Sequence, residues 1–198
     1  TAIDYFFLKS FASLIQNEME IEAKAIDQVT REELQTYKEK GFSDRYLASV
    51  WKVSEMEVRA HRKSLGLTAV YKTVDTCAAE FESHTNYHYS TYFGENEQKK
   101  TDKKKVLMIG SGPIRIGQGI EFDYCSVHGV YALQDENVET IMINNNPETV
   151  STDFATADRL YFEPLTLEYV LNVIEAEDIK DVIEKTIGKY DLKAAGDM

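Results

Sequence analysis

The sequence predicts an all-α helical domain followed by an α/β domain with a parallel sheet. Before residue 68, apolar residues recur at helical spacing between capping signals and glycines. From Val106 onward, short apolar strands alternate with helical segments, an order that implies right-handed crossovers between parallel strands. The pattern changes at Gln98–Lys105, which has five lysines and no apolar residue. We therefore expect a helical domain at 1–98, a lysine-rich linker at 99–105 and an α/β domain at 106–198.

The helical region should open with an amphipathic helix. Asp4 is a candidate N-cap, and the residues after it form one apolar stripe at helical spacing. We interpret this stripe as core; it consists of Phe7, Phe11, Leu14, Ile15 and Met19. Two capping boxes, Thr30–Glu33 and Ser54–Glu57, predict the starts of later helices, and Gly41 and Gly66 are placed to end them.

Composition and charge exclude some classes of function. The 198 residues carry a formal net charge of −12, which argues against non-specific nucleic-acid binding and against a basic membrane patch. No apolar run approaches transmembrane length, so we expect neither a nucleic acid nor a membrane as partner. Two cysteines, Cys77 and Cys125, are typical of a reducing compartment, and we expect the cytoplasm. Because Thr1 is not a natural start, we expect a piece of a longer protein.

The main candidate site is the junction between the strand Val106–Ile109 and the glycine-rich turn that follows it. Glycines at 110, 112, 117 and 119 let the backbone expose N–H groups and approach another surface closely. A phosphate-binding P-loop needs Gly-Lys before Ser or Thr, and no lysine follows these glycines. The dinucleotide fingerprint needs glycine where Arg115 stands and an acidic residue where Asn144 ends the next strand. A tight strand-to-helix turn that binds no ligand therefore remains as good an interpretation of these glycines as a binding site.

A second turn should lie beside the first. Val138–Ile143 reads as the second strand, Arg159–Phe162 as a third, and Thr166 as the cap of a helix before a strand at Ile179–Ile183. The carboxyl ends of parallel strands meet at one edge of a sheet, so the turns at 110–119 and 144–153 should meet there. We expect the functional face at this edge.

Two alternatives and one unusual segment remain outside this scheme. Residues 42–67 could form a DNA-reading helix-turn-helix whose second helix carries Arg59, His61, Arg62 and Lys63, although a helical hairpin without DNA is the simpler interpretation. His84, His88 and Cys77 suggest a metal site, but no CxxC pair accompanies them, which favours ordinary packing. The tyrosine-rich segment from Tyr71 to Phe93 has no helical period and reads as an extended segment lying on a partner surface.

Long strings within this sequence are similar to one enzyme family. GSGPIRIGQGIEFDYCSVHG at 110–129 and INNNPETVSTDFATADRLYFEPLTLEYVLNVIE at 143–175 resemble the start of the second synthetase half of the carbamoyl-phosphate synthase large chain, of the bacterial, glutamine-dependent type. VDTCAAEF and YSTYFGE, upstream, resemble the end of its oligomerisation domain. The resemblance runs from about Asp4 to Glu175 and implies a helical oligomerisation domain, then a Rossmann-like pre-ATP-grasp domain.

The resemblance also implies an activity and its partners. That enzyme makes carbamoyl phosphate for arginine and pyrimidine biosynthesis from bicarbonate, glutamine-derived ammonia and two ATP, with magnesium or manganese and potassium. Its ATP-grasp domains hold ATP and metals, a glutaminase small subunit supplies ammonia, and the helical domain makes homo-oligomers. A tunnel carries carbamate past the glycine-rich loop, which makes these residues tunnel or interface residues here: Arg115, Gly117, Gln118, Gly119 and Glu121. Structural roles stay open, because Arg115 could pair with Glu121 and Glu121 could cap a helix.

The tail departs from the family pattern. Where the family continues into a Gly-Gly-Gln turn and the ATP-grasp domain, this chain has EKTIGKYDLKAAGDM, within the tail at 176–198. We therefore expect no catalytic, cofactor-binding or metal-binding residue in this fragment and no activity of the fragment alone. A stand-alone self-association module and DNA binding through 42–67 are the alternative functions.

Overall fold

A computed structural model describes residues 2–112 and 119–184, with side chains described outside 119–122 and 181–184. The chain divides into two compact units. One contains the described residues up to Ala69 together with Thr91–Gly94, and the other contains Val70–Ser90 and the described residues from Glu95 onward. No helix in these described ranges is both long and apolar enough to cross a membrane.

The first unit is built from short helices with local caps. They are α1 (Tyr5–Glu22), a 3₁₀ turn (Ile26–Gln28), α2 (Arg31–Glu39), α3 (Asp44–Trp51) and α4 (Glu55–Ser64). Asp4 accepts a hydrogen bond from the Phe6 N–H, and both predicted capping boxes are formed, at Thr30–Glu33 and at Ser54–Glu57. The predictions of these helix starts are confirmed.

The interpretation of the α1 stripe as core is wrong. Phe7, Phe11 and Ile15 are each 55% exposed, and only Asn17 and Ile21 of this helix are buried. The core forms instead around a set of side chains shared by the C-terminal end of α1 and the later helices: Ile21, Val29, Leu34, Tyr37, Leu47, Ala48, Val58 and Leu67. Because only the last turns of α1 reach this core, its apolar stripe faces solvent.

Basic residues of α4 are used inside the helical unit. Arg62 is 1% exposed, and its Nη2 lies 2.9 Å from Asp44 Oδ2. Lys38 Nζ lies 2.9 Å from the other oxygen of Asp44, and both cations lie near the Tyr92 ring. Burial alone would raise the pKa of Asp44, but the two cations outweigh it and lower that pKa. With Arg59 also buried, two of the basic residues behind the DNA-binding alternative cannot reach a phosphate.

The second unit contains a six-stranded sheet in the order β1-β2-β5-β4-β3-β6. The strands are β1 (Val70–Thr73), β2 (Tyr87–Thr91), β3 (Lys105–Ile109), β4 (Glu139–Asn144), β5 (Arg159–Phe162) and β6 (Asp181–Glu184). Pairing is parallel for β2 with β5, β5 with β4, β4 with β3 and β3 with β6. The helices are α5 (Gly119–Asp135) and α6 (Leu167–Glu177). The predicted parallel sheet is therefore confirmed.

Side chains cover both faces of the central strands. Leu107, Ile141 and Ile143 pack with Val170 and Val173 of α6 on one face. Met108 and Met142 pack with Val130 of α5 on the other face. This two-sided burial explains why β3 and β4 are continuous apolar runs rather than alternating ones.

The tyrosine-rich segment has a different role from the one predicted. Its ends form β1 and β2, so the segment supplies strands to the α/β unit rather than lying as a loose extension on a partner. Tyr71 is 1% exposed and its ring meets that of Tyr161 edge-on at 4.9 Å. The two compact units consequently differ from the predicted ranges 1–98 and 106–198, because residues 70–90 associate with the sheet.

The prediction that Lys105 belongs to a solvated linker is wrong. Lys105 is the first residue of β3 and is 7% exposed, with Nζ 3.1 Å from Glu177 Oε2. Arg159 Nη1 lies 2.7 Å from the other oxygen of Glu177, and the Tyr161 hydroxyl donates to the same carboxylate. Burial alone would raise the pKa of Glu177, but these donors lower it. One buried carboxylate thus ties the amino ends of β3 and β5 to the end of α6.

Candidate site at the carboxyl edge of the sheet

The turns after β3 and β4 meet at the carboxyl edge of the sheet. Ile109 pairs with Ile143 in register, so the two strands end level with each other. The Gly110 N–H donates to the Ile143 carbonyl over 2.9 Å, which extends the pairing one residue into the turn. For residues 110–112 and 144–153, the predicted meeting of the two turns is confirmed.

Asn144 joins the two turns with its side chain. It is 1% exposed, and its Oδ1 accepts from the Gly112 N–H (3.2 Å) and from the Asn146 N–H (3.3 Å). Its Nδ2 donates to Ser151 Oγ over 3.3 Å. An amide supplies both an acceptor and donors, which a carboxylate at this position could not do. Asn144 therefore fixes the first glycine turn and its own turn in one arrangement.

Gly110 is required by the position of Asn144. A Cβ atom on Gly110 would lie 2.6 Å from both Cγ and Nδ2 of Asn144, well inside van der Waals contact. The expectation that the glycine turn approaches another surface closely is met at this residue. Gly112 is favoured for a different reason. Its backbone is in the left-handed region (φ 73°), where a residue with a Cβ atom would be strained.

Asp123 links α5 to the asparagine-rich turn. Its Oδ2 accepts from the Ser151 N–H over 2.6 Å and from the Thr149 hydroxyl, and the side chain is 2% exposed. Its Oδ1 and the Oγ of Ser126, one helical turn later, are both buried without a hydrogen-bond partner among the described residues. Sequence reasoning did not select Asp123, although a carboxylate in the first turns after the glycines was a visible signal.

Glu163 adds a buried carboxyl group to the same edge. It follows β5 directly, its N–H donates to the Asn144 carbonyl over 3.3 Å, and its Oε1 accepts from the Ser90 N–H. Burial, with a smaller contribution from the nearby Glu168, raises the pKa of Glu163 to about 7, although hydrogen bonds from Ser90 act in the opposite direction. An acidic group at this edge therefore titrates near neutral pH.

The predicted site residues fall only partly within the described structure. Arg115, Gly117 and Gln118 lie outside the described residues. Gly119 and Glu121 lie in the first turn of α5, where the backbone alone is described. Their roles as tunnel or interface residues therefore stay a prediction.

The suggested metal site does not form in the described ranges. His88 is buried in β2, with its ring 5.4 Å from that of Tyr161, and burial lowers its pKa. Cys77 is a free thiol. No three His, Cys, Asp or Glu side chains lie together as metal ligands in residues 2–112 and 119–184, where side chains are described.

Two family models match consecutive parts of the chain. Residues 102–198 match the carbamoyl phosphate synthase preATP-grasp domain, and residues 1–66 match the carbamoyl-phosphate synthetase large chain oligomerisation domain. The chain belongs to the carbamoyl phosphate synthase large-chain family. The first match contains helices α1 to α4, and the second contains strands β3 to β6, while β1 and β2 lie between the two.

Individual members of this family align over almost the whole chain. An arginine-specific large chain from Geobacillus stearothermophilus is 64% identical over 184 residues, 92% of this chain. Large chains from Nostoc sp. and Archaeoglobus fulgidus are 55% and 51% identical and cover 98% and 100% of it. The chain spans only 18% of the length of the first and second of these relatives and 19% of the third.

The contact between Gly110 and Asn144 predicts an asymmetric effect of two glycine substitutions. Gly110→Ala should destabilise the protein by about 1–3 kcal/mol, because the new methyl group meets a fixed, hydrogen-bonded side chain. Gly129→Ala is the matched control: its methyl group meets only the flexible end of Met108, at 2.8 Å, and alanine favours the helix. Urea unfolding checks both; equal effects would contradict the importance of the Asn144 contact.

The raised pKa of Glu163 predicts a dependence of stability on pH. The pKa in the folded state (about 7) exceeds the model-peptide value of 4.5, so the folded form binds this proton more tightly. The resulting stability is present below pH 4.5 and is lost as the pH rises through 7. Glu163→Gln should therefore be more stable than the wild type at pH 8, by about 1–3 kcal/mol, and not at pH 4.5.

Urea unfolding at the two pH values measures this difference. Glu136→Gln, the same change at an exposed position just after α5, is the control and should not reproduce the gain in stability at pH 8. A constant difference between wild type and Glu163→Gln from pH 4.5 to 8 would contradict the assignment.

Proposed function

We propose that this chain forms part of a ligase that makes carbamoyl phosphate from bicarbonate, glutamine-derived ammonia and two ATP. Within it, the chain supplies subunit assembly, part of the wall of a carbamate passage and a surface for an ATP-grasp domain. The observation that carries this proposal is the joined pair of turns at the carboxyl edge, where Asn144 binds the glycine turn. Ligands of open parallel sheets bind outside this edge.

The shape of the edge suits a passage better than a nucleotide grip. Amide and hydroxyl groups supply hydrogen bonds at this edge without a fixed array of cations. A reactive intermediate such as carbamate needs walls that exclude bulk water. A turn fixed by buried side-chain hydrogen bonds can provide such a wall, because its backbone cannot easily open.

The proposed partners follow the family resemblance. ATP, magnesium or manganese, and potassium belong to the parent enzyme and are proposed to bind its ATP-grasp domains rather than residues of this chain. A glutaminase small subunit is the proposed source of ammonia, and the cytoplasm is the proposed location. The 198 residues alone are proposed to be inactive.

Asn144→Ala tests the passage in the full-length large chain with ammonia as nitrogen source. The substitution removes the side chain that joins the two turns, so carbamate should escape before the second phosphorylation. Carbamoyl phosphate formed per ATP hydrolysed should fall about tenfold. The yield is measured from the two products in one reaction.

Thr140→Val is the matched control for this experiment. Thr140 is as deeply buried as Asn144 and lies in the same strand, but it contacts Asp158 at the opposite edge of the sheet. It should lower stability without changing the yield per ATP. A normal yield in Asn144→Ala would overturn the passage, and a reduced yield in Thr140→Val would attribute the loss to general destabilisation.

A second function, self-association, is supported by the exposed apolar face of α1. Phe7, Phe11 and Ile15 are each 55% exposed on this face, beside Leu14 at 37%, and clustered exposed apolar side chains mark interaction sites. The match of residues 1–66 to an oligomerisation domain supports the same role. We propose that α1 contributes this face to a homo-oligomer.

Phe11→Glu should weaken self-association at least tenfold, because it introduces a charge into an apolar interface. Lys9→Glu places the same residue on the other side of the exposed helix and should leave association unchanged. Sedimentation velocity over a concentration series measures the self-association constant of each variant and of the wild type. A wild-type chain that stays monomeric at high concentration would remove the proposal.

A further inference from the structure

The outer face of α5 carries a row of aromatic rings. Tyr124, His128 and Tyr131 follow one another at helical spacing, and all three are exposed. The centroid of the His128 ring lies 4.1 Å from that of Tyr124 and 6.2 Å from that of Tyr131. Because Tyr124 is 61% exposed and Tyr131 is 44% exposed, the three rings form one connected surface that is open to solvent.

The opposite face of α5 is already used by the sheet, where Val130 is buried against Met108. A helix on the surface of a domain normally turns charged side chains outward, as α2 does with the exposed Arg31 and Glu39. In contrast, residues 124–134 of α5 include no Asp, Glu, Lys or Arg. A helix without a charged outer face is typical of the interior of a larger protein.

The composition of this outer face defines what would cover it. We call it the aromatic face; its exposed residues are Tyr124, Cys125, His128, Tyr131 and Ala132. The cores of protein interfaces are rich in aromatic residues and poor in charged ones. A charged partner surface would lose its hydration here without gaining an opposite charge. The complementary surface is therefore apolar and neutral, with hydrogen-bond acceptors for the two tyrosine hydroxyls.

Most of the protein surface that could cover the aromatic face lies outside this chain, because the 198 residues span only 18% of the length of the large chains from Geobacillus stearothermophilus and Nostoc sp.. The face also begins beside the candidate site. Tyr124 follows Asp123, whose carboxylate accepts from the Ser151 N–H of the turn at 144–153. A neighbour seated on the aromatic face would therefore also approach the carboxyl edge.

We propose that the aromatic face docks against a neutral, apolar surface of the same large chain, outside these 198 residues. This inference rests on the proposed role of the chain as part of a larger ligase and deepens it by naming a surface of assembly. It is separate from the proposed self-association, which uses the exposed face of α1.

Cys125 can report whether the aromatic face is covered, since its free thiol is exposed beside the ring row. A maleimide should label Cys125 readily in the 198-residue chain. In the full-length large chain, labelling should be about tenfold slower, because a docked surface blocks access to the thiol. Mass spectrometry of the labelled peptides measures the rate for each cysteine separately.

Tyr131→Glu places a charge in the aromatic face of the full-length chain and should bring the Cys125 rate to within about threefold of that in the 198-residue chain. Tyr89→Glu is the matched control, because it makes the same change at a tyrosine of β2 that is 43% exposed, and it should leave labelling slow. Cys77, which is half-buried, should keep its rate in both variants. If Cys77 also reacts faster, the variant has unfolded, and the two wild-type chains alone decide.

Slow labelling of Cys125 in the full-length chain, restored by Tyr131→Glu, supports the docking. Equal rates in the two wild-type chains overturn it, as does slow labelling that Tyr131→Glu leaves unchanged in a folded variant. Protection that grows with the concentration of the 198-residue chain would assign the face to a second copy and would also overturn it.

The labelling requires no turnover, so it is judged apart from the carbamate passage. A protected Cys125 with a normal yield in Asn144→Ala retains the docking and removes the passage. An unprotected Cys125 with a reduced yield in Asn144→Ala does the reverse.

Discussion

The close approach of Asn144 to Gly110 is the constraint on which the candidate site depends. The side chain occupies the space that any Cβ at residue 110 would need, and from there it bonds to both turns. The level ends of β3 and β4 bring the two residues side by side. Strand register, a missing Cβ and one amide together determine the shape of the edge.

Buried charge organises each of the two compact units internally. In the helical unit, Asp44 is held between Lys38 and Arg62, and at the amino edge of the sheet Glu177 is held between Lys105 and Arg159. Each carboxylate is compensated by two cations, which is the condition under which burial of an ion is tolerated. Burial instead raises the pKa of Glu163, and the hydrogen bond that its carboxyl group accepts from the Ser90 N–H only partly offsets this rise.

The two parts of the proposed function rest on different physical features. The carboxyl edge is a small polar site whose side chains are buried and fixed by hydrogen bonds. The α1 face is a large apolar surface with little internal packing. The first is suited to contact with a small intermediate, and the second to a macromolecular surface, because apolar burial gives the larger free energy over a larger area.

Local signals in the sequence determined the helix starts, the central strands and the family. The capping boxes at Thr30 and Ser54 form as predicted because their partners lie three residues away, and the apolar runs of β3 and β4 report burial on both faces. Only the tertiary structure decided that the α1 stripe is exposed and that Lys105 is buried. It also decided that Asp123 bonds across to residue 151 and that Asn144 fills the space above Gly110. The reason is distance along the chain: Lys105 meets a carboxylate 72 residues away and Asn144 a backbone N–H 32 residues away, and no periodicity encodes such contacts.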